Sequence, residues 1–452
     1  MKSVLVIIMV LMGYWLCAQD VDTTPSKQVL TLDQCMKIAM QNNIELKRVK
    51  NNALIANANY FQRMMEFLPS IDLYANYDLY NGTFFDNTAA RQVTSVTNSS
   101  NPSIRANWTV FNGFSNHYQL KAANNNKEAT SFAIEEQVQT VESNVLAAYL
   151  SVVLDKENIK ISEDKINLLQ SQLEREKKRN EIGVGNLEQV YNFQSQLANE
   201  NLTLVNRKNL LLTDMLRLLQ TLQLEVSDNY DVAPYEFGDD LALMEKEKFA
   251  EVLESSLSYS PGIKRATHSA ESASMLFKSS RAQYLPTVAL SGQVGSSYSS
   301  NGARNPENGM VDSHASFSDQ MNWNRYDYLN LSVTVPVFYR GRLRNDTQVA
   351  KLNLENANLD LQQTELDVTN TIQQVYVNLT SAQATYKAAE DNLVALNQSF
   401  EYVETRYEHG NTDFYTYLES LNNKNRAEIE LVNAKYMIVF RQKILDVYRG
   451  QL

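Results

Sequence analysis

The chain has 452 residues with only 14 Gly and 8 Pro, and its 41 Lys+Arg against 52 Asp+Glu leave a formal net charge of -11. Turns draw on Gly and Pro, so their scarcity over this length means long elements and excludes enzymes built on glycine-rich phosphate loops. The acidic balance excludes nucleic acid as a partner. The scattered His117, His268, His314 and His409 and the pair Cys17 and Cys35 form no metal-ligand spacing. No cofactor or metal is expected, and no nucleophile, base and orienting group converge on a motif.

In chain order, Lys2 and the apolar run Val4 to Met12, followed by Cys17-Ala18, read as a signal peptide over 1-18, cut after Ala18. Lipoprotein processing at Cys17 is the other reading, disfavoured by the bulky Leu16 before it. Removal of Cys17 leaves Cys35 without a disulfide partner. The rest of the chain has no apolar run of transmembrane-helix length.

The mature chain uses one plan twice. Leu46-Lys47-Arg48 returns as Ile263-Lys264-Arg265 and Leu68-Pro69 as Leu285-Pro286, at an offset of 217; Val110-Phe111 returns as Val337-Phe338 and Gly183 as Gly410, at 227. The first repeat takes 19-226 and the second 249-452, with an acidic surface crossover at 227-248 between them. Each repeat opens with a short helix. Thr31-Leu32-Asp33-Gln34 predicts a capping box at the first, helical to about Phe67, and the second runs from about Phe249 to Tyr284 with an interruption at Ser260-Pro261-Gly262. Two strands come next, at about 70-80 and 103-111 and again at about 287-296 and 328-337, each alternating apolar with polar residues. Polar loops are expected at 81-101 and 296-324. The strands have about the ~9–11 residues a tilted strand needs to cross hydrocarbon. The alternation fits an ordinary antiparallel sheet packed on a core equally well, and the exported context favours a membrane barrel; four strands are fewer than the roughly eight that close one, so in that reading several chains share it.

No Gly or Pro interrupts Phe114 to Ile182 or Arg342 to His409, lengths that as helix reach on the order of 100 Å. Val138, Val145, Val152, Ile159, Ile166 and Leu173 recur every seven residues; Ile372, Leu379, Tyr386, Leu393, Phe400 and Tyr407 do the same in the second repeat, with Val375, Ala382, Ala389, Leu396 and Val403 as a companion row. Reversals fall at Gly183-Val184-Gly185-Asn186 and Gly410-Asn411-Thr412-Asp413. Returning heptads come after them, marked by Val190, Leu197, Leu204, Leu211 and Leu218, and by Tyr417, Leu431, Ile438 and Leu445 with Lys424 as an exception. The expectation is a coiled-coil hairpin in each repeat, at 114-224 and 342-449. Glu174 and Lys178 read as an exposed i,i+4 pair.

Leu30-Thr31-Leu32-Asp33, Leu68-Pro69-Ser70, Val110-Phe111-Asn112-Gly113 and Arg406-Tyr407-Glu408-His409-Gly410, in this order on a duplicated plan, resemble the TolC family of outer-membrane efflux proteins over essentially the whole mature chain. The resemblance implies a mainly α protein with a transmembrane β part, a homotrimer whose twelve strands form one barrel in outer-membrane lipid, joined to a periplasmic α-helical barrel. It implies an outer-membrane exit duct of a tripartite efflux or type I secretion system, working with a periplasmic adaptor and an inner-membrane pump. Adaptor docking is expected at Gly183, Val184, Gly185, Asn186, Gly410, Asn411 and Thr412. A periplasmic gate is expected at Asp413, Thr416 and Glu419; Tyr407 matches a family gate tyrosine and equally suits a heptad core position. Thr412 and Gln189 stand where some members carry a salt-bridged lock. The rival reading is an exported periplasmic coiled-coil adaptor or scaffold.

Overall fold

The computed structural model describes residues 28–86, 90–227, 229–235 and 248–451, so the signal-peptide segment, Cys17 and most of the acidic crossover lie outside the described residues. Two compact units emerge. One comprises the described residues of Met1–Ile44, Val138–Leu253 and Ile372–Leu452; the other comprises Glu45–Gln137 and Glu254–Thr371.

The second of these units contains the sheet. Helix α2 (Ile44–Met65) leads to β2 (Ser70–Tyr74), β3 (Asp78–Asp86), β4 (Arg91–Ser100) and β5 (Ser103–Asn112), and α6 (Pro261–Ala282) leads to β7 (Thr287–Gly295) and β11 (Tyr326–Thr334). Four strands form an antiparallel sheet in the order β11-β7-β5-β2. Its apolar side chains point away from protein: Ile71, Leu73, Leu329 and Leu331 are 71%, 78%, 75% and 65% exposed. A water-soluble sheet would bury that face, whereas hydrocarbon covers it in a membrane. Asp72, Arg105, Gln293 and Tyr328 share a row on the opposite, polar face.

Two expectations need correction. The stretch 81–101 is not a loop: β3 and β4 pair along their length, and their register continues that of β2 and β5 across the kink at Ala75-Asn76-Tyr77. The first strand is thus two segments rather than one run from 70 to 80. Thr94, Val96 and Thr97 supply the β-branched residues that favour pairing. The stretch 296–324 is likewise ordered. It contains β8 (Tyr298–Ser299), β9 (Ala303–Arg304), β10 (Val311–Asp312) and α7 (Phe317–Trp323), and β8 pairs with β4. Gln320, 1% exposed, ties it together by accepting from Ser299 N and donating to the carbonyls of Ser299 and Ala315.

The other unit is helical. It opens with β1 (Gln28–Leu30) and α1 (Leu32–Asn42), where Thr31 and Gln34 form the expected capping box with bonds of 3.0 and 3.3 Å. The opening helix breaks at Asn43, ahead of α2. The Ile44 N–H freed by the break donates to Gln223 Oε1 at 3.1 Å. Helices α3 (Ser115–Glu181) and α8 (Arg342–Glu408) run through both units; α4 (Leu187–Leu222) and α9 (Phe414–Arg449) return beside them. Val145, Val152, Ile166, Leu173, Ile372, Leu379, Phe400, Tyr417, Ile438 and Leu445 are buried, as heptad packing requires. Lys424, the heptad exception, keeps its place by laying its ammonium over the Phe400 ring at 5.1 Å and pairing with Glu428. The crossover strand β6 (Tyr230–Val232) pairs in parallel with β1; Lys156 holds Asp231 and the Val232 carbonyl, and Tyr149 donates to the Ala233 carbonyl at 3.0 Å. The start of α5 (Phe249–Tyr259) also belongs to this unit.

Candidate functional site

The two reversals are built alike. After α3, Gly183 N donates to the Asn180 carbonyl at 3.1 Å and Val184 N to Arg179 at 3.0 Å; after α8, Gly410 N donates to Tyr407 at 3.0 Å and Asn411 N to Arg406 at 2.8 Å. This bond pair closes a helix with a left-handed residue, and Gly183 and Gly410 sit at φ +78 and +73. Asn186 and Asp413 then cap the returning helices through their side-chain oxygens. The reversals differ in chemistry. Ile182, Val184 and Leu187 expose apolar side chains around the first, whereas His409, Gly410 and Asn411 expose polar surface at the second.

The expected gate residues divide into two groups. Asp413, Thr416 and Glu419 lie exposed on the first turns of α9. Asp413 accepts from Thr416 N at 3.0 Å and from the Thr416 hydroxyl at 2.6 Å, and these bonds hold its carboxyl below the ordinary range. Thr416 is thereby occupied in capping. Glu419 makes no ion pair among the described residues, which leaves its charge free to face solution. Tyr407 is placed elsewhere: 3% exposed, it stacks on Tyr417 at 4.7 Å in a cluster with Leu169, Leu173, Phe193, Phe400 and Phe414. In this chain its surroundings are those of a heptad core residue. Burial, then nearby Glu176, pushes its hydroxyl up to about 12.

Charges around this cluster were not foreseen. Arg175 of α3 pairs with Glu408 of α8, joining the two hairpins by residues other than those at Gln189 and Thr412. Glu176 is fully buried against Arg179 at 3.1 Å, and burial followed by neighbouring Glu408 raises the Glu404 carboxyl. Their signal lay in the heptads, since Glu176 falls three residues after Leu173, on a companion seam row. Glu174 pairs with Lys177 at 2.7 Å rather than with Lys178 as its ion-pair partner. Among the described residues, no cluster of His, Cys, Asp and Glu is suited to a metal, and no helix is long and apolar enough to cross a membrane.

The sequence matches the family model described as Outer membrane efflux protein over residues 36–222 and 252–448. The chain belongs to that family. It is an outer-membrane efflux channel rather than an enzyme, with its helical part in the periplasm. It is 22% identical over 442 residues to the outer membrane protein TolC of Escherichia coli (strain K12), covering 94% of this chain and 83% of TolC. The fold is that of solved outer-membrane channels. The channel OprN superposes with a TM-score of 0.75 at 16% identity, covering 93% of this chain and 90% of OprN. Campylobacter jejuni CmeC gives 0.75 at 17%, covering 93% and 85%, and Vibrio cholerae VceC gives 0.74 at 16%, covering 93% and 96%.

Proposed function

We propose that this efflux channel is the exit duct of a tripartite efflux or type I secretion system, assembled as a homotrimer with twelve strands in one barrel. The observation that carries this reading is the four-stranded sheet, with an exposed apolar face and two open edges, β2 and β11. Antiparallel order lets β2 of one copy continue beyond β11 of the next, and closure removes the edges that lipid cannot satisfy. Apolar rows left exposed on the helices support the same assembly. Leu202, Val205, Leu212 and Leu216 line one flank of α4, and Leu352, Leu359 and Leu366 recur every seven residues on α8.

The plan is two repeats, 19-226 and 249-452, joined by the crossover 227-248 after a signal peptide of 1-18. A periplasmic adaptor bound to an inner-membrane pump docks at Gly183, Val184, Gly185 and Asn186 and at Gly410, Asn411 and Thr412; exposed Ile182 and Leu187 favour an apolar contact at the first reversal. Glu419, with Asp413 and Thr416 close by, forms the periplasmic gate. Three copies of Glu419 near a threefold axis attract cations and repel one another against closure.

Planar-bilayer recording of the purified mature chain tests the duct, with cross-linking to count subunits. Discrete conductance from a cross-linked trimer is the expected result. A chain that stays monomeric and soluble without detergent would instead be the adaptor or scaffold.

A further inference from the structure

The outward apolar row of β11 does not stop where the strand does. Leu329, Leu331 and Val333 are followed by Val335, Val337 and Phe338, and the last two are 92% and 81% exposed. Asp327 bounds this run at one end and Tyr339-Arg340-Gly341-Arg342-Leu343-Arg344 at the other. From 329 to 337 it has about the ~9–11 residues that a tilted strand needs to cross hydrocarbon. The chain therefore leaves the apolar layer at Phe338, and Tyr339 and the arginines come to lie at the level of the lipid headgroups. Because β11 leads into α8 and the helical part is in the periplasm, those headgroups belong to the periplasmic leaflet.

This turn is basic without compensation. No carboxylate occurs between Asp327 and Asp346. Arg340, Arg342 and Arg344 are exposed and form no ion pair among the described residues. Arg342 instead lies over the Tyr339 ring at 5.4 Å, which orders the guanidinium beside an amphipathic side chain. The first repeat carries no such charge: at the 227 offset Asn112, Gly113, Ser115 and His117 stand for Tyr339, Arg340, Arg342 and Arg344. Arg340 takes φ +51 where Gly113 takes +67, so the second repeat places an arginine in a backbone conformation that favours glycine. The first-repeat turn also shows what a neighbouring copy would leave open. Its strand β5 is flanked on both sides, by β7 and β2, and Val110 and Phe114 remain exposed. A second chain beside β11 therefore leaves the equivalent turn facing out.

We propose that Tyr339, Arg340, Arg342 and Arg344 bind the headgroup phosphate of an anionic phospholipid in the periplasmic leaflet, at the foot of β11. The guanidinium fork matches phosphate geometry, offers paired N–H donors to its oxygens, and stays charged at any working pH. Val337 and Phe338 take up the acyl chains beside that phosphate, and Tyr339 sits at the boundary, where amphipathic rings are favoured. A zwitterionic lipid presents the same phosphate next to its own cation, so the arginines favour a lipid of net negative charge. The site rests on the reading of the sheet as a lipid-facing wall of the outer-membrane channel.

The test is native mass spectrometry of the full mature chain in detergent, titrated with phosphatidylglycerol or with phosphatidylcholine of the same acyl chains. Severalfold tighter retention of phosphatidylglycerol is the expected result, and equal retention of the two lipids overturns the proposal. Arg340→Gln, Arg342→Gln and Arg344→Gln combined are expected to abolish that preference while uptake of phosphatidylcholine is kept; an unchanged preference overturns it too. Inorganic phosphate in excess over the lipid is expected to leave the lipid bound, and full displacement would assign the site to free phosphate instead. Where the variant does not assemble, phosphatidylglycerol with a photoactivatable headgroup is expected to label residues 335–345 of the unsubstituted protein. Labelling confined to other segments overturns the proposal. A chain that takes up neither lipid and stays soluble without detergent refutes the membrane reading itself, and the site with it.

Discussion

Gly185 occupies a position where a single methyl group decides whether the first reversal closes. A Cβ there would lie 2.5 Å from Asn180 N and 2.7 Å from the Arg179 carbonyl carbon, both backbone atoms that cannot swing aside. Gly183, three residues before the N-cap of α4, instead has open space and needs only its positive φ. Gly185→Ala is therefore expected to cost more than the ~1–2 kcal/mol of placing a side chain in left-handed backbone, and more than Gly183→Ala. Limited proteolysis at the reversal and the thermal midpoint would check the order; equal effects from the two variants would refute the close-contact argument. Cys35 is the opposite case. Buried and unpaired, it has its thiol pushed up to about 12 by burial, which makes it an inert packing residue.

Among the elements, the α3–α4 hairpin combines apolar heptads with a buried ion pair. Lys165 and Glu200 are 12% and 8% exposed in their side chains, so removing one partner leaves a buried charge uncompensated. Glu200→Gln is expected to destabilise this hairpin by about 3–5 kcal/mol, read as a loss of helical signal at lower temperature. A change below ~1 kcal/mol would mean that water reaches Lys165. In the sheet, Leu331 pairs with Leu290 at the centre of β11 and presents its side chain outward. Leu331→Arg is expected to cost about 2–4 kcal/mol in a bilayer and to lower the yield of membrane-inserted protein. A soluble sheet would tolerate the substitution.

Much of this level was legible in the sequence. The capping box at Thr31, the reversals at Gly183 and Gly410 and the buried heptads all stem from local chemistry or from period. The break at Asn43 was within reach as well, because an offset of 217 maps it onto Ser260, where Pro261 marks the same break openly. The β3–β4 ribbon was harder. Its Asn, Ser and Gly content reads as loop, and only pairing along both strands and with β8 makes it sheet.

For the whole molecule, the decisive property is that one chain leaves its sheet open and its apolar flanks uncovered. Function at this scale depends on what neighbouring copies bring to Glu419, which one chain exposes without an ion-pair partner among the described residues. Glu419→Gln is expected to weaken cation block of single-channel conductance, because it removes charge while keeping shape. Unchanged block would exclude Glu419 from the gate. Tyr407, the fourth expected gate residue, is packed against Tyr417 and Phe193 within the chain.

The sequence by itself determined the periodic features: long helices from the absence of Gly and Pro, seams from heptads, strands with one apolar and one polar face from alternation, and reversals from glycine followed by a capping residue. Each depends on neighbours a few residues apart, so local order suffices to specify it. Only the tertiary structure decided which seam charges find partners, such as Lys165 with Glu200, and that Tyr407 packs in an aromatic cluster. Those outcomes depend on which turn of one helix lies against which turn of another, a register set by packing across the whole hairpin.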